Sequence, residues 1–114
     1  MHDLTAYHAH IYFSAQDRSV ALNLREEFEA KATVSAAEIV IGRVHDKPVG
    51  PHPQPMFQVK FQQSDFAHLV PWLMQQRGPL NILVHGDTGD DLLDHTQPGM
   101  WLGQSLPLDL SAFS

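Results

Sequence analysis

The chain has 114 residues, enough for one domain, with 7 Lys+Arg against 13 Asp+Glu and so a net charge of −6 when histidine is neutral. That acidic balance argues against nucleic acid or an anionic membrane as partner. The absence of cysteine excludes disulfides, thiolate metal sites, iron–sulfur clusters and a cysteine nucleophile. No apolar run approaches the roughly 18 residues of a membrane span. Residues 1–10 lack the basic stretch and apolar segment of a signal peptide, so a cytoplasmic protein is expected. Histidine is the outlier, with eight residues at 2, 8, 10, 45, 52, 68, 85 and 95. Protonating all eight would carry the net charge from −6 to +2, so behaviour near pH 6 should be steep. A hydrophobic content of 43% supports one core, marginal at this size, and a homodimer is expected to help stability.

Residues 5–13 alternate with period 2 and predict a strand, with Tyr7, Ala9, Ile11 and Phe13 on one face and His8, His10 and Tyr12 on the other. Ser14 with Asp17 three residues on predicts a helix start. Residues 15–32 follow as a helix, with Ala21, Leu24 and Phe28 as its apolar stripe. Residues 37–45 predict a second strand. Residues 46–55 hold four prolines and a glycine, which suits a stiff loop and neither a helix nor a central strand. Residues 56–61 alternate again as a third strand. Ser64 is the expected cap of a helix over 65–77, which Pro71 should kink or restart and Gly78-Pro79 should end. Residues 80–85 predict a fourth strand. The remainder is rich in Gly, Asp and Pro, with apolar Met100, Trp101 and Leu102 that must pack somewhere.

The order βαββαβ predicts a ferredoxin-like α+β sandwich, a four-stranded antiparallel sheet with two helices on one face. Residues 1–114 form a single domain on this reading, with 104–114 as a tail. The first and third strands are expected to be parallel and central, and the second and fourth to run antiparallel at the edges. One sheet edge would then collect His8, His45, His52 and His85, with His10 one step further in on the face of His8. Convergent neutral imidazoles are what a divalent transition metal needs, and an open coordination position suits catalysis. One of Asp46, Asp87, Asp90, Asp91 and Asp94 could add a carboxylate. Each feature alone has a plainer reading. His2 and His68 fit ordinary hydrogen-bonded positions, residues 50–53 a rigid turn, 86–91 a solvated turn, Met100 and Trp101 core, and Lys60 a solvated strand residue.

Together, Tyr7-His8-Ala9-His10-Ile11-Tyr12-Phe13, Gly50-Pro51-His52-Pro53 leading into Met56-Phe57-Gln58-Val59, Ile82-Leu83-Val84-His85, Thr88-Gly89-Asp90-Asp91, Asp94-His95-Thr96 and Met100-Trp101-Leu102-Gly103 carry a resemblance. In this order, over about residues 5–104, the chain resembles the small DOPA 4,5-dioxygenase family of fungi and bacteria. Gly86 departs from the pattern, where a proline would follow the histidine. The resemblance implies the ferredoxin-like fold and extradiol cleavage of a catechol such as L-DOPA by non-haem Fe(II) and O₂, giving a muconic semialdehyde. Zinc or another divalent metal could occupy the same site. It implies His10, His52 and His85 as metal ligands, with the choice between His8 and His10 open, and His8 and His95 as acid/base groups. Tyr12, Met56, Phe57 and Trp101 are the expected walls for the ring, and Arg43 or Lys60 the cation for a substrate carboxylate. Two other classes compete with this reading. One is a metal-free dimeric α+β barrel that binds a small molecule, and the other a zinc-dependent lyase or hydrolase.

Overall fold

Alternation sets the architecture. In the first strand, β1 (Ala6–Tyr12), every second residue from Tyr7 is apolar, and this row faces two helices. The computed structural model describes residues 4–34, 38–96 and 99–113, and its elements follow in order. They are β1, α1 (Arg18–Val34), β2 (Val40–Ile41), β3 (Met56–Gln62), α2 (Gln63–Gln76), β4 (Asn81–Gly86), α3 (Asp91–Asp94), β5 (Gly99–Leu102) and a 3₁₀ turn at Leu110–Phe113. The sheet order is β2-β3-β1-β4-β5, with every neighbouring pair antiparallel.

The α+β class and the βαββαβ framework stand, with one strand and one short helix more than expected. The extra strand is made by Met100, Trp101 and Leu102, which pair with Val84, Leu83 and Ile82 at the β4 edge. A run of four residues is too short to display a period, which hides it in the sequence.

The expectation that the first and third strands are parallel is overturned. β1 and β3 are central but antiparallel, with Ile11 opposite Phe57. The α1 crossover makes β2 parallel to β1, and β3 turns back and inserts between them. The starts of β1 and β3 therefore lie at opposite ends of the sheet. Of the positions expected along one edge, the register leaves only His8 and His85 directly paired.

The second strand, expected over 37–45, is regular only at Val40–Ile41 and touches β3 once more at the His45–Met56 bridge. From Ile41 to His45 the chain advances four residues while its partner advances three, from Val59 to Met56, so a bulge interrupts the pairing. Gly42 sits in the bulge, where its N–H donates to the Gln58 carbonyl at 2.7 Å. A Cβ there would lie 3.1 Å from the same oxygen. Residue 37 lies outside the described residues.

The Ser14–Asp17 box forms, but one turn ahead of α1: the Ser14 amide and hydroxyl both donate to Asp17 Oδ1. Ser64 is not a cap, because β3 runs straight into α2 and the Gln63 amide is taken by the Thr5 carbonyl at 2.8 Å. Pro71 lies within α2 without breaking it, on the exposed side, and Gly78 at φ 54° ends the helix as expected.

Ala21, Leu24 and Phe28 of α1 and Leu69 and Leu73 of α2 pack on Ile11, Phe57, Val59, Phe61 and Ile82. Each large side chain so buried contributes roughly 1.5–3 kcal/mol. Phe57 belongs to this core, with its ring edge-to-face on Phe28 at 6.2 Å. The role expected for it as a substrate wall is therefore excluded, since period 2 places it with Val59 and Phe61, away from the histidines. The opposite face carries a second apolar cluster of Tyr12, Met56 and Leu83 beneath Val49, Trp101, Leu106 and Leu108. The 46–55 loop and the segment after Gly103 thus cover that face, and the Asp109 amide joins them by donating to the Pro51 carbonyl at 2.8 Å. Among the described residues no helix is long and apolar enough to cross a membrane.

Candidate metal centre

The strand period places His8, His10 and Tyr12 on the sheet face away from the helices. Register sets His8 between Lys60 and His85, and His10 between Gln58 and Leu83. The proline-rich loop brings the fourth ring. Gly50 turns at φ 55° and the His52 amide donates to the Val49 carbonyl at 3.0 Å, which folds His52 back over the sheet. Its ring centroid lies 4.2 Å from that of His10. The fifth ring comes from the end of α3, whose N-cap Asp90 accepts from the Leu93 amide. There His95 lies 4.4 Å from His85, 5.5 Å from His52 and 5.6 Å from His10.

The convergence expected from sequence therefore holds for His8, His10, His52 and His85, although not along a shared edge, and His95 joins them. His45 belongs to neither of the two tight groups. These are His8–His10–His85 and His10–His52–His95, each with nitrogen atoms within 4.8 Å of one another. His10 is common to both, and the set expected as ligands takes members from each. No carboxylate enters either group. Asp87 is engaged by His8 and Lys60, and Asp94 by Thr88.

Burial decides the protonation state. His10 and His85 are each 2% exposed and His52 7%. Loss of hydration, reinforced by the neighbouring rings, lowers His10 well below the usual imidazole value. The same causes push His52 and His85 down to about 4. His8 is lowered less, because Asp87 opposes the effect of burial. At neutral pH the inner rings are uncharged, the state in which imidazole binds metal.

Hydrogen bonds then fix which nitrogen faces inward. His85 Nδ1 donates to the Gly86 carbonyl at 2.8 Å, and His95 Nδ1 to the Asp91 carbonyl at 2.7 Å. Each ring is left with a lone pair on Nε2. His85 Nε2 faces His10 Nε2 at 2.8 Å, so one hydrogen must be shared between two nitrogens that are both basic. His10 Nδ1 and His95 Nε2 are buried without a partner. Buried ring nitrogens without partners, in groups that hold no thiolate or carboxylate, fit a borderline divalent metal ion.

Tyr12 lies between the rings and the apolar cluster, with its hydroxyl 2.6 Å from His52 Nδ1 and its ring stacked on Trp101 at 5.7 Å. Burial raises its phenol pKa, so it stays protonated. Met56 is buried in the same cluster. Lys60 is half-exposed at the His8 end, where its Nζ is 3.4 Å from Asp87 Oδ2. Arg43 is exposed in the bulge that follows β2 and is not brought to the rings. Gly86 stands where a proline was expected, and a Cβ there would meet Leu4 at 2.5 Å. Asp87, expected among the carboxylates that could join a metal, instead holds His8 Nε2 at 3.2 Å. One group escaped the sequence reading: the Phe113 ring lies 4.9 Å from His95, and nothing in the local pattern marked it.

The family model described as the Dopa 4,5-dioxygenase family matches residues 7–112. The chain is 41% identical over 114 residues to an uncharacterized 21.2 kDa protein of Botryotinia fuckeliana, covering 93% of this chain and 62% of that one. It is 33% identical over 113 residues to the DOPA 4,5-dioxygenase of Amanita muscaria, covering 96% of this chain and 50% of that one. The chain thus spans about half to three-fifths of the length of these curated relatives. The crystal structure of a Nostoc punctiforme PCC 73102 protein provisionally described as a dioxygenase superposes with a TM-score of 0.88 at 43% identity, covering 98% of this chain and 96% of that one.

Proposed function

Because the chain belongs to the Dopa 4,5-dioxygenase family, and because its inner imidazoles converge in the uncharged state, we propose that it opens a catechol ring such as that of L-DOPA on the extradiol side. The reaction consumes O₂, uses non-haem Fe(II) and yields a muconic semialdehyde. The observation that carries this reading is the cluster itself, with His10 at the centre of two three-histidine groups and buried lone pairs directed inward.

His10, His52 and His85 hold the metal on this reading. All three are buried, two on rigid central strands and one on a proline-stiffened loop, and fixed elements suit ligands. His85 is oriented by the Gly86 carbonyl and His52 by the Tyr12 hydroxyl, the outer contacts that hold ligating rings in place. When bound, Fe(II) supplies a centre at which catechol and dioxygen meet. The chain's own residues handle the protons. His8, neutral and held by Asp87, takes a catechol proton at its ring nitrogen. His95, with Nδ1 held by the Asp91 carbonyl and Nε2 without a partner, carries a proton to or from the oxygen being inserted. Tyr12, Met56 and Trp101 exclude water beside His52. Lys60 offers the positive charge for a substrate carboxylate at the His8 end.

The test uses chelator-stripped protein reloaded with Fe(II) under anaerobic conditions, then mixed with L-DOPA and air. A yellow ring-opened product that requires Fe(II) and disappears in His52→Ala and His85→Ala supports the proposal. Iron-loaded protein that converts neither DOPA nor simple catechols overturns it in favour of a binding module.

A further inference from the structure

The loop from β4 to β5 carries a group of the candidate site at each end. Asp87 opens it and holds His8, and His95 closes its helical turn and faces the other rings. Between them stands a buried carboxylate to which the chemistry above gives no task. Asp94 is 3% exposed, and among the described residues no cation pairs with it. Its oxygens accept from the Thr88 amide at 3.1 and 3.0 Å and from the Thr88 hydroxyl. Thr88 Oγ1 in turn accepts from the Asp90 amide at 3.2 Å, and the Asp94 amide donates to the Asp90 carbonyl at 2.9 Å. The circuit closes residues 88–94 on themselves. A buried carboxylate is unfavourable unless its oxygens are fully hydrogen-bonded, and here one threonine supplies the donors.

The turn so closed is α3, four residues long, far below the length at which a helix persists unaided. Yet its last turn sets the His95 ring. The Asp91 carbonyl that receives the His95 amide at 3.1 Å also receives His95 Nδ1 at 2.7 Å. That second bond turns the lone pair of Nε2 inward. We propose that Asp94 and Thr88 are positioning residues for His95, a clamp that holds α3 so that His95 keeps its Nδ1–H form and its inward aim. The catalytic consequence rests on the role given to His95 above, whereas the geometric one does not.

The first arm of the test needs no metal and no substrate. Long-range ¹H–¹⁵N spectra of metal-free protein with labelled histidine report the tautomer of each ring. Wild-type His95 is expected as Nδ1–H. Thr88→Val and Asp94→Asn should both shift it toward the Nε2–H form favoured by free imidazole, while His85, on β4, keeps its Nδ1–H pattern. Thr88→Ser, which retains the hydroxyl, should restore the wild-type spectrum. In the Fe(II)-loaded enzyme Thr88→Val should lower kcat roughly 10- to 100-fold, with KM and iron content unchanged and Thr88→Ser near the parent. An unchanged His95 tautomer in both Thr88→Val and Asp94→Asn overturns the inference. So does a His85 pattern that changes along with His95, which would make the clamp a general structural support. A His95 response in a protein with no activity on catechols sustains the clamp and overturns the catalytic reading alone.

Discussion

The two faces of one sheet are built on opposite principles. On the helix side Ile11, Phe57, Val59 and Ile82 are apolar and fully buried, and their only demand is volume. On the other side His10 and His85 are buried as deeply, but they are polar and mutually repulsive when charged, and His10 Nδ1 has no partner. The first face stabilises the fold. The second is tolerable because the first is strong, and its unmet hydrogen bonding is what a metal ion would satisfy. Stability and function are thus divided across a single layer of backbone.

The largest effect should come from attacking the helix face. Phe57→Ala removes a ring packed against Phe28 and leaves a cavity, at a cost of about 3–5 kcal/mol in unfolding free energy. Denaturant unfolding measures it. The metal affinity of the fraction that remains folded should not change, since Phe57 points away from the rings. A loss of affinity in folded protein would mean that the two faces are coupled through the backbone.

The next effect belongs to the histidine face and depends on pH. His52 and His85 titrate near 4 in the folded chain, against about 6.5 when unfolded. Below pH 6.5 the unfolded chain therefore binds protons that the folded chain refuses, and stability falls as pH falls. The loss runs from about pH 6.5 to about 4, at most roughly 1.4 kcal/mol per pH unit for each ring. Urea midpoints of metal-free protein across this window check it. A flat profile would mean that the rings are hydrated and the cluster is open.

The helix face was legible because hydrophobic spacing reports burial directly. Ala21, Leu24 and Phe28 were placed by their spacing, and β1 by its alternation. The histidine face was legible only in part. His8 and His10 follow from the β1 period, but His52 reaches them because a bulge and a proline-rich loop fold over the sheet, which no local period encodes. The strand directions were misjudged, yet the rings still met, since the covering loop and α3 bring His52 and His95 in from outside the sheet. Chain segments that close over a face, such as 103–113, carry too little periodicity to be placed in advance. Ser64 misled for a related reason: a backbone carbonyl from Thr5 did the work expected of a side-chain cap.

A smaller stability change, with a complete functional loss, is expected for His10→Leu. Leucine removes the partnerless Nδ1 but strands His85 Nε2 without its neighbour. The two desolvation terms are of similar size and opposite sign, so metal-free stability should move by no more than about 1 kcal/mol. Metal binding, read by calorimetric titration with Fe(II) or Zn(II), should disappear. A large destabilisation would show that His10 belongs to the structural economy of the sheet and would erase the division between the faces.

The smallest effect is expected at the surface tie between the faces. Arg18, at the start of α1, donates through Nε and Nη2 to both oxygens of Asp46, at 2.8 and 3.2 Å, where the loop carrying His52 begins. The pair is exposed on both sides, and such pairs lose most of their attraction to solvent screening. Arg18→Ala should therefore leave the melting midpoint within the scatter of replicate melts, and metal affinity unchanged. The loop has firmer anchors in its prolines, the Tyr12 hydroxyl on His52 and the Asp109 amide on Pro51. If Arg18→Ala nevertheless weakened metal binding without altering stability, the His52 loop would be preorganised from the helix side, and the histidine face would depend on the other for its aim as well as its support.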